Sequence, residues 1–166
     1  MNIKPGNILI SAPSLDDPNF EKVVIFLAEY NQKGAMGFVI NKLFPRLFNE
    51  LTAFNKSKAF ALYAGGPVKN EELFFIHQRP DIIDGGTLIR DSIYLGGNFK
   101  KAVQHINDGT LTENDIKLFI GYCGWDVGEL EEEVAEGSWL VNTITSPTVF
   151  GLHDAKLWEG LYQVSA

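Results

Sequence analysis

Residues 23–41 read VVIFLAEYNQKGAMGFVIN, and this stretch decides the fold. Residues 23–28 are β-branched, aromatic and few, the makeup of a strand. Residues 36–41, MGFVIN, form a second apolar run of the same kind. Between them Asn31-Gln32-Lys33-Gly34 is a turn too short for a crossover helix, so the two runs predict antiparallel pairing. A doubly wound parallel sheet needs strict β–α alternation, which is absent here.

Working outward, residues 8–10 predict a first strand and residues 14–20 a polar turn with an Asp-Pro step. Phe44, Leu47, Phe48, Leu51 and Phe54 recur at spacings of three and four, which predicts an amphipathic helix with Pro45 in its first turn. Residues 60–63, 73–76, 87–90, 93–95, 117–122 and 138–144 predict strands, and residues 78–86 a polar loop. Asn98 is placed to cap a helix carrying Phe99, Ala102, Val103 and Ile106. Thr112 to Asp115 predicts a capping-box-like turn. Residues 127–136 predict a helix buried along Val127, Leu130 and Val134. Asp154 is placed to cap a terminal helix with Leu157, Trp158, Leu161 and Tyr162. The sum is about eight strands and four short helices. It predicts an α/β fold of the α+β kind: a bent, mixed, mainly antiparallel sheet with peripheral short helices.

Length and composition bound the function. A chain of 166 residues with 45% hydrophobic residues predicts one globular domain over residues 1–166, large enough to need no disulfide or metal staple. Lys and Arg number 14 against 21 Asp and Glu, a net charge of −7, which argues against direct nucleic-acid binding. No apolar run is long enough to span a bilayer, and the start lacks a signal-peptide core. The expectation is a cytoplasmic protein without a membrane partner.

Local motifs for catalysis are sparse. His77, His105 and His153 have no metal-ligand spacing, and no P-loop, nucleophile elbow or zincin helix occurs. Cys123 reads as buried against Trp125; a reactive thiolate would need a pKa lowered by a base or helix terminus. Glu129, Glu131, Glu132, Glu133 and Glu136 crowd one short segment after Asp126. That cluster is a solvated helix face, a surface for a basic partner, or an oxygen-rich cation site without a calcium-loop pattern. Asn41, Asp126, Ser11 and Ser138 stand beside apolar strands, where they either pin strand ends or line a pocket.

The ordered motifs resemble the YqgE/AlgH family, also called DUF179 or UPF0301. The carriers are GNILISAPSLDDPNF at 6–20, GAMGFVIN at 34–41, Gly65-Gly66-Pro67-Val68, GYCGWDVGELEEE at 121–133, Gly137-Ser138-Trp139 and Leu157-Trp158. The resemblance implies a bent, barrel-like, largely antiparallel sheet and mostly uncharacterised bacterial relatives. The AlgH name carries a link to transcriptional regulation of alginate production. It places a surface groove on Asn41, Gly65, Gly66, Tyr122, Gly124, Trp125, Asp126, Leu130 and Glu131. It supplies no catalytic, cofactor-binding or metal residue. This chain departs from the pattern at Lys22 and Lys42, where relatives often carry Arg, and at Glu129 in place of Gln; the lysines keep the charge without the guanidinium fork.

Two functional expectations follow. One is a non-enzymatic regulatory or protein-interaction domain, linked to transcriptional regulation without reading DNA, whose Glu131 and Glu132 meet a basic partner surface. The other is a small-ligand binder or enzyme of unassigned class with a groove near Asn41 and Asp126. The sequence sets no oligomeric state.

Overall fold

The computed structural model describes residues 2–166. Its strands are β1 (Ile8–Ser11), β2 (Val24–Asn31), β3 (Gly34–Val39), β4 (Leu43–Leu47), β5 (Ala61–Ala64), β6 (Val68–His77), β7 (Thr87–Arg90), β8 (Ile93–Leu95), β9 (Ile116–Trp125) and β10 (Trp139–Asn142). The helices are α1 (Phe99–Asn107), α2 (Glu129–Ala135), α3 (Ser146–Phe150) and α4 (Ala155–Ser165). No helix among the described residues is long and apolar enough to cross a membrane.

The β2–β3 hairpin forms as the sequence requires, with Ile25 opposite Val39 and Asn31 opposite Gly34. The ten strands make one sheet in the order β10-β1-β2-β3-β9-β6-β8-β7, with β5 and β4 branching from β9. Among the described residues only the β5–β9 pair is parallel, so the sheet is mixed and mainly antiparallel. β9 is the hub. One edge pairs with β6, and the other is shared by β5 along its first half and β3 along its second.

Strand alternation sends side chains to two faces. Ile8, Ile10, Phe26, Phe38 and Phe119 meet Ile89 and Ile93, which come from the far end of the strand order. The sheet is therefore strongly bent. It does not close: β10 and β7 end the order without pairing. Arg90 reaches across the gap instead, its Nε donating to the Gly6 carbonyl at 3.0 Å and its Nη2 to the Ile144 carbonyl. α4 packs Trp158 onto this inner cluster, and the indole N–H donates to the Ser11 carbonyl at 2.8 Å. The outer face carries two further clusters. α2 covers one through Leu130, and α1 covers the other through Ala102 and Ile106. Each large apolar side chain buried this way contributes roughly 1.5–3 kcal/mol.

Three readings need correction. Residues 44–54 form no helix: β4 pairs with β5, and two single 3-10 turns follow at Phe48–Glu50 and Thr52–Phe54. The two turns, with the extended Leu51 between them, bring Phe48 and Phe54 face to face at 4.6 Å, so the aromatic packing is met without an α-helix. Pro45 sits in a strand whose second edge is unpaired, where its missing N–H costs no ladder bond. Val127 is 67% exposed because α2 begins only at Glu129, leaving it in the preceding turn. The fourth helix is α3 rather than 44–54; Thr145 caps it, and Pro147 stands in its first turn, where no N–H is needed.

His77 is fully buried on β6. Its Nε2 lies 2.9 Å from the Gly96 carbonyl and its Nδ1 accepts the Arg79 N–H at 3.1 Å, which fixes a neutral ring protonated at Nε2. Burial lowers its pKa from 6.5, against smaller opposing effects of Gly96 and Asp81. The unfolded chain then binds more protons than the fold below that value, so stability is lost as pH falls through 6.5 and below. A melting series from pH 7.5 to 5.5 (about one unit either side of the ordinary histidine value) should show a falling Tm, with a shallower fall in His77→Gln. Equal slopes would contradict this role.

Candidate functional site

The site grows from the second half of β9, where backbone geometry changes. Gly121 has φ +77, and the β6–β9 register shifts between Val68 and Leu73. Here β5 gives way to β3: the Gly65 N–H donates to the Ile120 carbonyl at 2.8 Å, and the Gly65 carbonyl accepts the Val39 N–H at 2.9 Å. The backbones crowd reciprocally. A Cβ on Gly65 would press into the Gly121 carbonyl, one on Gly121 into the Gly66 carbonyl, and one on Gly66 into the Tyr122 carbonyl. Gly65 and Gly66 are thus required by close approach.

Past this knot, alternation turns Tyr122 and Gly124 toward solvent and buries Cys123 and Trp125. Tyr122 and Gly124 line an open cleft of about 470 Å³ with Met36 and Phe74, and Glu29, Lys69, Trp125 and Asp126 complete its walls. Phe74 meets Tyr122 edge to face at 5.3 Å, which fixes the tyrosine ring as one wall. Gly124 keeps the cleft open. Its φ is ordinary, and a Cβ there would meet only Tyr122 Cε2, at 3.5 Å. Lys69 adopts φ +45 on the rim, an uncommon conformation for a residue with a side chain.

Asp126 leads into α2, and its backbone N–H donates to Glu129 Oε1 at 2.6 Å. Leu130 is the buried anchor of that helix, while Glu131 and Glu132 are exposed. Tyr30 stands beside Glu131; burial and the neighbouring carboxylate together raise its pKa. Glu29, Asp126, Glu131 and Glu132 have no ion pair among the described residues.

The remaining sequence candidates fall elsewhere. Asn41 is 3% exposed, and its amide is engaged with backbone: Oδ1 accepts the Val24 N–H at 2.9 Å, and Nδ2 donates to the Lys22 and Asp154 carbonyls at 3.0 and 3.3 Å. It joins the start of β2 to the start of α4 and does not share the cleft of Asp126. Ser11 Oγ likewise accepts the Val23 N–H at 3.0 Å. Gly66 lines a separate cleft with Lys42 and Pro67. Cys123 is buried with Trp125 in one cluster, and burial pushes its thiol up to about 12. A thiolate is therefore not formed near neutrality.

Glu133 carries a role the sequence did not single out. One of its oxygens accepts both the Trp125 and Trp139 indole N–H groups, at 3.0 and 2.8 Å. The two rings meet edge to face at 6.1 Å. The crowding of glutamates hid this one; the only available signal was the presence of two tryptophans that need acceptors when buried.

A family model described as DUF179, AlgH-like, matches residues 8–164. A UPF0301 protein of Chlorobium limicola is 35% identical over 157 residues, covering 95% of this chain and 84% of that protein. A UPF0301 protein of Cytophaga hutchinsonii is also 35% identical over 157 residues, covering 94% and 86%. Among solved structures, the AlgH protein from Pseudomonas aeruginosa superposes with a TM-score of 0.77 at 26% identity, over 97% of this chain and 88% of that one. Protein DIP2367 from Corynebacterium diphtheriae shares the fold with a TM-score of 0.82 at 20% identity, over 100% of this chain and 89% of that one.

Proposed function

We propose that this chain, which belongs to the AlgH-like family DUF179, is a non-enzymatic interaction domain that acts in regulation by holding a basic segment of a partner protein. The observation that carries this reading is the convergence of Tyr122, Gly124, Trp125 and Asp126 on one open cleft beside the free acidic face of α2. The cleft suits an arginine or lysine of the partner, because its carboxylates Glu29 and Asp126 outnumber its one cation, Lys69. Its aliphatic stem would lie over Met36 and Tyr122, and its charge would reach Glu29 and Asp126. Glu131 and Glu132 extend the negative surface and favour encounter with a basic chain. A net charge of −7 opposes direct DNA reading and is compatible with such a partner.

The ligand site imagined between Asn41 and Asp126 receives no support, because the Asn41 amide is occupied by backbone groups in a different place. The interaction reading is tested by affinity capture from source-cell extract, followed by direct binding of each purified partner. Reversing Glu131 and Glu132 to lysine should weaken binding about tenfold, and added salt should weaken the native complex. Unchanged affinity in the double variant would reject the acidic surface as a docking element.

A further inference from the structure

Lys117 lies near the start of β9 with only 3% of its surface exposed. Its Nζ donates to the Val149 carbonyl at 3.1 Å and the Gly151 carbonyl at 2.7 Å, the open carbonyls at the end of α3. Nζ also lies over the face of Tyr63, 3.9 Å from its ring centroid. Among the described residues no carboxylate forms a salt bridge with it. A buried ammonium without an anion is unusual, since buried charges are normally paired. Burial pushes Lys117 down to about 7, with Glu113 opposing the shift.

A cavity of about 200 Å³ lies against this ammonium. Ala61, Phe150 and Leu152 give it apolar walls, and the exposed Glu113 stands on its rim. Glu113 is held there because its Oε1 accepts the Ala61 N–H at 2.6 Å. Lys117 and Glu113 therefore put a buried basic group and an exposed acidic group on the lining of one cavity. A simple anion such as phosphate would meet repulsion from Glu113, and a simple amine repulsion from Lys117. A covalent imine at Nζ would remove N–H groups that two carbonyls hold. A small zwitterion fits both charges and leaves those bonds intact. At about 200 Å³ the cavity falls below the roughly 300–1,000 Å³ of pockets that hold drug-sized ligands, so it suits a small one.

We propose that this cavity binds a free aliphatic α-amino acid, its carboxylate on the Lys117 ammonium and its own ammonium at Glu113. The carboxylate supplies the anion that the buried Nζ lacks, beside the Tyr63 ring. This site shares no lining residue with the partner cleft, so either can fail without the other.

The test is an amide NMR titration of the full chain with L-valine, with isovalerate (the same carbon skeleton without the amine) and with isobutylamine (without the carboxylate). L-valine should give saturable shifts at Ala61, Asn114 and Leu152. Isovalerate should bind about tenfold more weakly and isobutylamine not at all. Glu113→Gln keeps an acceptor for the Ala61 N–H and should weaken L-valine about tenfold while leaving isovalerate bound at least as tightly, since the repulsion from the carboxylate is gone. Lys117→Met should abolish both. Equal affinity for L-valine and isovalerate, L-valine binding unaffected by Glu113→Gln, or no saturable shift at these residues would each overturn the proposal.

Discussion

Gly121→Val is expected to cost about 2–5 kcal/mol, from a left-handed backbone penalty of about 1–2 and overpacking of about 1–3. The loss is large against a total stability of about 5–15 kcal/mol for a domain of ordinary size. Two effects combine at this position. The φ of +77 disfavours any side chain, and a Cβ would drive into the Gly66 carbonyl with the Asn70 Cα and Val68 carbonyl each 3.1 Å away. All of these neighbours are backbone, so none can swing aside. Gly128 separates the two effects, because its φ is +84 and nothing lies within 4 Å of a Cβ. Gly128→Val should lose only the conformational part, about 1–2 kcal/mol. Urea unfolding of both variants measures the difference; equal losses would refute the steric knot.

Glu133→Ala is expected to cost about 2–6 kcal/mol, because two indole N–H groups lose their shared acceptor and each unsatisfied buried donor costs about 1–3. Trp125 is 8% and Trp139 2% exposed, so water replaces the carboxylate poorly. Glu133→Gln keeps an oxygen acceptor and should recover most of the loss, whereas Glu132→Ala on the exposed face should change stability by no more than about 0.5 kcal/mol. Thermal unfolding followed by tryptophan fluorescence reads all three. A similar small loss for Glu133→Ala and Glu132→Ala would show that the indole clamp contributes little.

The fold was legible where one local rule acted alone. The 23–41 hairpin, the Asn98 cap and the 112–115 turn all formed, the last with the Thr112 N–H donating to Asp115 Oδ2 at 2.8 Å. Legibility failed where two structures share a spacing. Phe44, Leu47, Phe48, Leu51 and Phe54 fit a helix of period 3.6, yet the available edge of β5 took the first part of the segment and two short 3-10 turns the rest. The same limit applies to function. Motif order marked Tyr122, Gly124, Trp125 and Asp126, and these do meet in one cleft. Asn41, Gly65 and Gly66 bear the same resemblance but hold strand ends and crossings. Lys117 gave no signal at all, because its partners Val149 and Gly151 are backbone carbonyls more than thirty positions along the chain.

The cleft itself is tested most directly at Gly124, where a side chain would fill space without straining the backbone. Gly124→Leu should leave the unfolding midpoint within the range of an ordinary surface change, about 0.5 kcal/mol, and abolish binding of the captured partner. Full partner affinity in a folded Gly124→Leu protein would contradict the assignment of this cleft as the docking site.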